Sequence, residues 1–317
     1  MVRGISILIH ATDRGKSTPH RLYSLCTTRY TPAKIILISV SRPIADVFVA
    51  KPLMLETSKA GNSVNKPWDI YDRLIDGVPE SLTVDSYLIG TTWTLVEAEG
   101  MGIGMAMTYK GGAPDGKPTP SRRGEPLREL AQSLRSWSLP EASLGMAAVN
   151  AYHNQPEVIS GWINKPLEEL GSPGAFVAML PEMAGKKVAV IGHFPGLETV
   201  ADVAELTILE RNPQPGDLPD FAAEYVLPQQ DFVLITGTTI TNKTLPHLLE
   251  VCEKPYVAVV GPSLAFAPWW FDYGVDLLAG AIVTDKNCVW QGVAEGAHRQ
   301  IFECGAPMVN IRRRDLA

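Results

Sequence analysis

Cysteine is scarce in this 317-residue chain, and the patterns in which cysteine usually binds metals are absent. The four cysteines, Cys26, Cys252, Cys288 and Cys304, form no CxxC pair. Their spacing argues against a disulfide scaffold and against a cysteine-based zinc ribbon. No group of His and Cys has zinc-site spacing, so a metal site would have to be assembled from residues far apart in the sequence.

Long apolar runs are also absent. No 18 consecutive residues are apolar, so the sequence predicts no membrane-spanning helix. The 45% of hydrophobic and 20% of charged residues are typical of a globular protein. A chain of this length can bury a sizeable core, and it predicts two domains or one large α/β domain.

Basic residues are concentrated at the start of the chain. Residues 1–53 hold eight Lys or Arg and two Asp, so this segment carries +6 and the rest −12, for a net charge of −6. The acidic balance argues against nucleic acid as a partner. We predict residues 1–66 to be a basic N-terminal extension, either poorly ordered or upstream of a native start at Met54. A transit peptide and a folded extension stay open as alternatives.

Residues 67–165 are predicted to form a small α+β domain, because strand patterns precede helix patterns. Gly102 and Gly104 interrupt one β-rich segment, which indicates a bulge or a close approach by a ligand or another chain segment. We predict a helix over 68–75, followed by a hairpin or meander over 83–96 and 102–109 with a turn at 97–100. A helix from Pro126 comes next. The last helix of the domain begins with a capping box at Ser138–Glu141 and ends at about Asn154.

Residues 184–317 alternate between apolar runs and helix patterns. Such runs are typical of parallel strands that are buried on both faces, so we predict a Rossmann-like, doubly wound parallel-sheet domain, joined to the first by a Pro- and Gly-rich linker over 166–183. Ligands of such sheets bind at the carboxyl ends of the strands. The predicted strands are 187–192, 206–210, 232–236, 256–261, 277–283 and 308–311. The predicted helices lie near 196–205, from a cap at Asp217–Asp220 through Tyr225, and over 243–252.

The first strand of this domain ends in Gly192, His193 and Phe194, which are candidate binding residues but do not form a GxGxxG motif. The sequence therefore argues against NAD as the ligand. His193 lies at the ligand end of the first strand, the position expected of a metal ligand or general base. Glu210 ends the second strand, 18 residues after Gly192, where an acid often binds a ribose hydroxyl. Alternatively, Glu210 pairs with Arg211 or a helix N-terminus.

A threonine-rich segment follows the third strand and predicts an anion-binding turn at the start of a helix, capped by Asn242 or Thr241. A capped helix with no ligand is the alternative. A second glycine-led turn follows the fourth strand. The candidate binding residues of the two turns are Thr236, Gly237, Thr238, Thr239, Asn242, Lys243, Thr244, Gly261, Pro262 and Ser263.

Further polar residues complete the candidate set. Asp220 and Glu224 are spaced i and i+4, so they share a helical face and can bind a metal or form a solvated acidic surface. Asn150 interrupts an apolar row and is predicted to be buried, hydrogen-bonded and close to the cleft between the domains. The candidate metal ligands are therefore His193, Glu210, Asp220 and Glu224, and no residue is assigned a catalytic role.

Motifs that recur in order over residues 68–312 resemble a family described as "putative heavy-metal chelation". The resemblance implies an enolase-N-terminal-like domain, a Rossmann-like domain, and a metal or small-molecule role for the cleft between them. This chain departs from the expected pattern at residues 264–267, which puts the shape of that loop in doubt. The motifs are IGTTWTLV (89–96), LRELA (127–131), ASLGMAAVNA (142–151), VIGHFP (190–195), LER (209–211), LPQQD (227–231), ITGTT (235–239), NKT (242–244) and GPS (261–263).

Three functional hypotheses follow. The first is a cytoplasmic protein that binds a divalent or heavy-metal ion, or a metal-bearing small molecule, in the interdomain cleft. The second is an enzyme that uses an adenosine-type cofactor, such as S-adenosylmethionine or a nucleotide, held by Glu210. The third is a sensing or scaffold module. The expected partners are a small molecule or metal ion, with no nucleic acid, no membrane and a possible homodimer, although we favour packing over a dimer surface for Trp269–Phe271.

Overall fold

The structure is a computed structural model that describes residues 67–113, 121–171 and 174–317, together with two short strands nearer the start. These strands, β1 (Ile7–His10) and β2 (Ile36–Ser39), pair in parallel. The chain divides into two compact units, Met1–Ala60 and Gly61–Ala317. Apart from β1 and β2, the prediction for the extension at 1–66 lies outside the described residues.

The second unit begins with a helix and a small antiparallel sheet. Helix α1 (Asp69–Asp76) precedes β3 (Val84–Ile89), β4 (Trp93–Ala98) and β5 (Gly102–Met107), which pair in the order β3-β4-β5. The predicted meander is confirmed, but the segment predicted as one β-rich stretch contains two strands. They are separated at Gly90, whose N–H donates to the Trp93 carbonyl at 2.9 Å and closes a tight turn.

Four helical segments follow this sheet. They are α2 (Leu127–Ala131) with a 3-10 turn after it, α3 (Leu139–His153) and α4 (Pro156–Ser160). Helix α3 packs across β4 and β5. A Cβ built on Gly104 would lie 2.0 Å from the Ala151 backbone nitrogen, so the predicted close approach by another segment is confirmed at this glycine.

The predicted capping box at the start of α3 is wrong. Ser138 occupies the N-cap position, but its side chain makes no capping hydrogen bond. Ser136 Oγ instead donates to Glu141 Oε2 at 2.7 Å and accepts the Ser138 N–H at 3.1 Å. The carboxylate therefore stabilises the turn before the helix, two residues earlier than the sequence pattern indicates.

The remaining strands form one seven-stranded sheet in the order β12-β11-β10-β9-β6-β7-β8. All neighbours are parallel except β11 and β12, which are antiparallel. The strand order reverses between β6 and β9, so a crevice is expected at their carboxyl ends. The strands are β6 (Lys187–Ile191), β7 (Glu205–Glu210), β8 (Leu218–Pro219), β9 (Phe232–Thr236), β10 (Tyr256–Val260), β11 (Leu277–Ala281) and β12 (Met308–Arg312).

Among the described residues, the α-helices that accompany this sheet are α5 (Ala175–Met183), α6 (Glu198–Ala201), α7 (Ala223–Val226), α8 (Thr238–Thr241), α9 (Leu245–Val251), α10 (Lys286–Ala294) and α11 (Gln300–Cys304). The predicted linker contains α5, whose buried Met179 and Met183 pack with strand residues of the sheet. The helix cap predicted at Asp217–Asp220 is wrong, because β8 and a 3-10 turn precede the short α7, which has no side-chain cap. None of the described helices is long and apolar enough to cross a membrane.

The central strands of the large sheet are buried on both faces, as their apolar runs predict. Alternate residues of these strands enter separate clusters: Val233 and Ile235 join the larger one, whereas Leu234 joins the cluster around α5. The larger cluster also contains Ile70 of α1 and residues of α3 and the small sheet. The two predicted domains therefore share one hydrophobic core.

The other face of the small sheet is covered by the C-terminal helices. Trp93 and Met105 pack there with Val293 of α10 and Ile301 of α11. Trp270 and Phe271 are buried in the shared core, which confirms that they serve packing. A disulfide joins Cys288 to Cys304, between α10 and α11, and the cysteine spacing did not predict it.

Candidate functional site

The carboxyl ends of β6 and β9 meet where the strand order reverses. Gly192 follows β6 with φ 103°, a conformation that glycine adopts without strain. A Cβ built on Gly192 would lie 3.2 Å from the Cβ of Thr236, the last residue of β9. This close approach places the loop that begins at His193 at the mouth of the crevice.

His193 is oriented by a buried carboxylate that the sequence analysis missed. Its Nδ1 lies 3.1 Å from Asp217 Oδ2, and the Asp217 side chain is only 4% exposed. Asp217 also accepts the Gln214 N–H at 2.9 Å. The His193 side chain is 35% exposed, and its Nε2 has no hydrogen-bond partner among the described residues.

This pairing determines which ring nitrogen of His193 is available. A carboxylate at Nδ1 favours the N–H on that atom and leaves the lone pair on Nε2. Metal-bound histidines are commonly held by such an outer carboxylate. Sequence reasoning assigned Asp217 to a helix cap, and nothing in the spacing of 24 residues between the two side chains signals their contact.

Glu210 connects the loops that follow β6 and β7. Its Oε2 accepts the His193 N–H at 3.0 Å, and its Oε1 accepts the N–H groups of Arg211 at 2.8 Å and Asn212 at 3.2 Å. Both carboxylate oxygens are thus engaged by the backbone. Glu210 therefore positions the backbone of His193 rather than presenting an open carboxylate.

The other two predicted metal ligands make separate side-chain contacts of their own. Asp220 Oδ2 is 3.1 Å from Arg211 Nε, and Glu224 Oε1 is 3.1 Å from His247 Nε2. Within the described ranges, no three side chains of His, Cys, Asp or Glu are grouped so that they could hold a metal ion. The structure thus brings His193 and Glu210 together, but not Asp220 and Glu224 with them.

The threonine-rich segment after β9 folds into α8 instead of an open turn. Thr236 and Thr238 share a hydroxyl contact of 3.1 Å at its start. Thr239 Oγ1 donates to the Thr236 carbonyl at 2.6 Å, and both Thr239 and Thr241 are buried. Gly237 is required where the segment touches the next turn, because a Cβ there would lie 2.8 Å from the Leu264 nitrogen.

The turn from α8 to α9 contains a strained lysine. Lys243 has φ 68° and is the one described residue other than glycine with a positive φ. Its Nζ donates to the Thr241 carbonyl at 2.8 Å and to the Ser136 carbonyl. Burial lowers the pKa of Lys243 to about 8. The ammonium group therefore connects this turn to the segment before α3.

Asn242 and Thr244 stabilise the same turn without capping α9. Asn242 Oδ1 accepts the Thr244 N–H at 3.1 Å and its hydroxyl at 2.7 Å. The predicted cap at Asn242 or Thr241 is wrong, because α9 begins at Leu245, after Thr244, and has no side-chain cap. The left-handed backbone of Lys243 prevents the helix from starting earlier.

Asn150, Pro262 and Ser263 join the small sheet to the large one. The Asn150 amide donates to the Met105 carbonyl at 2.7 Å and reaches the Pro262 carbonyl at 3.5 Å, so its predicted buried and bonded state is confirmed. Ser263 Oγ accepts the Met107 N–H at 2.9 Å. Gly261, with φ 126°, begins this turn.

Phe194 and Asn154 have structural roles near these turns. Phe194 turns towards α5, with its ring centroid 5.1 Å from that of Phe176. Asn154, which sequence reasoning did not select, donates to the Leu264 carbonyl at 2.8 Å and accepts the Phe266 N–H at 2.9 Å. These bonds fix the buried loop whose shape the sequence left open.

Comparison with known proteins agrees with this architecture. Residues 71–153 and 175–310 match two families, DUF4213 and DUF364, both described as "Putative heavy-metal chelation". A solved DUF364 protein of unknown function from Desulfitobacterium hafniense is 36% identical, with a TM-score of 0.69, and the match covers 77% of this chain and 98% of that one. The chain therefore belongs to the DUF364 family.

More distant relatives are also uncharacterised. A DUF364 structure of unknown function from Pyrococcus horikoshii, at 23% identity and a TM-score of 0.63, shares the fold over 77% of this chain and 98% of that chain. An uncharacterised protein of Methanocaldococcus jannaschii is 27% identical over 215 residues, which span 64% of this chain and 78% of that protein. These matches therefore bear on function through the family description, "Putative heavy-metal chelation".

Proposed function

We propose that this protein binds a metal-bearing small molecule at the carboxyl ends of β6 and β9, with His193 Nε2 as the ligand that the protein supplies. The observation that supports the proposal is the His193–Asp217 pair. Its 3.1 Å contact directs the free lone pair of a partly exposed imidazole away from a buried carboxylate. The family description of heavy-metal chelation agrees with this chemistry.

The small number of protein groups that could bind a metal beside His193 determines which kind of bound molecule we propose. Glu210 is engaged by backbone N–H groups, Asp220 pairs with Arg211, and Glu224 contacts His247. One imidazole alone does not hold a free divalent ion tightly, because such sites use three or four protein ligands. A metal that already has ligands from a small molecule needs one further ligand, as the iron of haem does.

The neighbouring polar groups suit the rim of such a site. Thr236 and Thr238 are half-buried, and Thr236 lies next to Gly192. Their hydroxyls, 3.1 Å apart, can donate to oxygen or nitrogen atoms of the bound molecule. The alternative of an adenosine-type cofactor requires Glu210 to accept ribose hydroxyls. Because both Glu210 oxygens accept backbone N–H groups, we propose the metal role for His193 in preference to it.

Native mass spectrometry tests the proposal on protein purified without a chelator or affinity metal. The full-length protein should retain a metal-bearing mass, and His193→Ala should lose it. His247→Ala is the matched control, since His247 is exposed and pairs with Glu224 elsewhere, and it should retain the mass. Equal retention by the wild type and His193→Ala, or a wild type without added mass, contradicts the proposal.

A further inference from the structure

A pair of cysteines lies at the surface, on the helices that cover the small sheet. Cys288 is in the first turn of α10 and Cys304 ends α11, with their Cα atoms 6.2 Å apart. Cys304 is exposed and Cys288 is half-buried. The sulfur atoms are joined as a disulfide, and Cys304 is within reach of a dissolved reductant.

Packing holds these two cysteines side by side independently of the sulfur–sulfur bond. The Gly305 carbonyl accepts the N–H groups of Thr284 at 2.8 Å and Asp285 at 3.2 Å. A Cβ on Gly305 would lie 2.6 Å from the Asp285 carbonyl oxygen, so the two segments are in direct contact. Reduction of the disulfide therefore leaves both thiols close together.

Helix α11 is also anchored by its side chains. Ile301 is fully buried in the cluster under the small sheet. A Cβ on Gly292 of α10 would lie 2.9 Å from Ile301 Cγ2, which shows how closely the two helices approach. Neither contact involves sulfur, so the arrangement does not require oxidation.

We propose that the reduced Cys288–Cys304 pair is a two-coordinate site for a thiophilic monovalent ion, Cu(I), and that the disulfide is its closed state. A dithiol reductant supplies two electrons and two protons, which convert the disulfide into two thiols. Cu(I) then forms two sulfur–metal bonds, and two protons are released. Thiolates are soft ligands, which favour Cu(I).

The surroundings favour two-coordination. The carboxylate of Asp285, the N-cap residue of α10, is engaged by the Cys288 N–H at 3.0 Å. Among the residues that the structure describes, no group of three His, Cys, Asp or Glu side chains is arranged for a metal. Tetrahedral zinc requires four ligands, whereas Cu(I) accepts two thiolates. This site is separate from His193 and does not depend on the function proposed above.

The test is a titration of the full chain with Cu(I), without oxygen, against a chromophoric Cu(I) chelator. The protein reduced with dithiothreitol and freed of it should bind one equivalent more than the oxidised protein. Cys288→Ser and Cys304→Ser should each lose that equivalent. Cys252→Ser, which alters a buried thiol, and Cys26→Ser should retain it.

Two outcomes would contradict the proposed Cu(I) site. One is equal Cu(I) binding by reduced and oxidised wild-type protein, and the other is an unchanged equivalent in Cys304→Ser. A circular dichroism spectrum of each serine variant that matches the reduced wild type shows that the fold is intact. His193→Ala should retain the thiol-bound Cu(I), so failure here and failure of the His193 proposal are distinguishable.

Discussion

Asp217 has the most specific role of any single residue in the proposed site, because it orients His193 without being exposed itself. Its buried Oδ2 accepts from both His193 Nδ1 and the Gln214 N–H. The substitution Asp217→Asn preserves the shape but removes the charge, and an amide can present N–H instead of oxygen to the imidazole. The available lone pair of His193 then no longer lies reliably on Nε2.

We expect Asp217→Asn to weaken metal retention by roughly 10- to 100-fold, the usual cost of losing an outer-sphere carboxylate. Asp231→Asn is the control, because that carboxylate accepts the Lys187 N–H at the opposite end of β6. Competition with a metal chelator, followed by metal analysis, provides the measurement. Equal retention by the two variants would show that Asp217 does not act through His193.

The lowered pKa of Lys243 predicts that the stability of the protein depends on pH. Burial lowers its pKa from 10.5 to about 8 in the folded state. Between these values the unfolded chain binds more protons than the folded one, so the contribution of Lys243 to stability increases as pH rises through this window. Below pH 8 both states are protonated, and this contribution is constant.

The free energy of unfolding measured in urea checks this dependence. The free energy of unfolding of the wild type minus that of Lys243→Met should increase from pH 7 to pH 9.5. Lys254→Met, at an exposed position, should show no such shift. A difference that is constant with pH, or that moves in the opposite direction, would contradict the lowered pKa.

At the scale of elements, Gly104 determines how closely β5 and α3 approach. A Cβ there would lie 2.0 Å from the Ala151 nitrogen and 2.1 Å from the Ala147 carbonyl oxygen. Both atoms belong to the backbone, so a small side-chain movement does not relieve the clash. Gly104→Ala should therefore destabilise the protein by about 3 kcal/mol, the upper end of the usual cost of overpacking a core.

Gly174→Ala provides the matched control for that substitution. Gly174 precedes α5 with φ −56° and has nothing within 4 Å of a built Cβ. Its replacement should change the unfolding free energy by less than about 1 kcal/mol. Equal midpoints of urea denaturation for the two variants would mean that α3 can move away from β5 at little cost.

The sequence indicates the strands better than the helices, for a physical reason. A strand buried on both faces is a continuous apolar run, and β6, β9 and β10 are recognisable as such. Helices α6, α7 and α8 have four residues each, too few to display a helical period. The Ser136–Glu141 bond and the positive φ of Lys243 depend on backbone geometry that residue types do not reveal.

The candidate site was predictable in position but not in its bonding. The end of β6 indicated His193, since ligands bind there in open parallel sheets. The partner Asp217 and the engagement of Glu210 by three N–H groups come from loop conformations. Likewise, the Cys288–Cys304 contact arises because α10 and α11 return over the small sheet, which no local spacing encodes.

At the scale of the whole molecule, the small sheet, the large sheet and their helices pack against one another throughout the described residues from 67 onwards. One cluster joins α1, α3 and the large sheet, and another joins the small sheet to α10 and α11. The Asn154 side chain adds hydrogen bonds to the Leu264 and Ala281 carbonyls. Neither predicted domain therefore buries its apolar surface alone.

This packing predicts that the two predicted domains unfold together. The slowest-exchanging amides of α3 and of β10 should have the same free energy of opening in native-state hydrogen exchange, because both lie in one cooperative unit. An α3 that opens at a clearly lower free energy than β10 would contradict the shared core.

The most direct test of the account is the metal content of three oxidised proteins, purified without a chelator and compared by native mass spectrometry: the wild type, His193→Ala and the double variant Cys288→Ser/Cys304→Ser. Oxidation keeps the thiols of the wild type unavailable. The account predicts a metal-bearing mass on the wild type and on the double variant, and its loss from His193→Ala. Retention of that mass by His193→Ala would contradict a metal site at the end of β6.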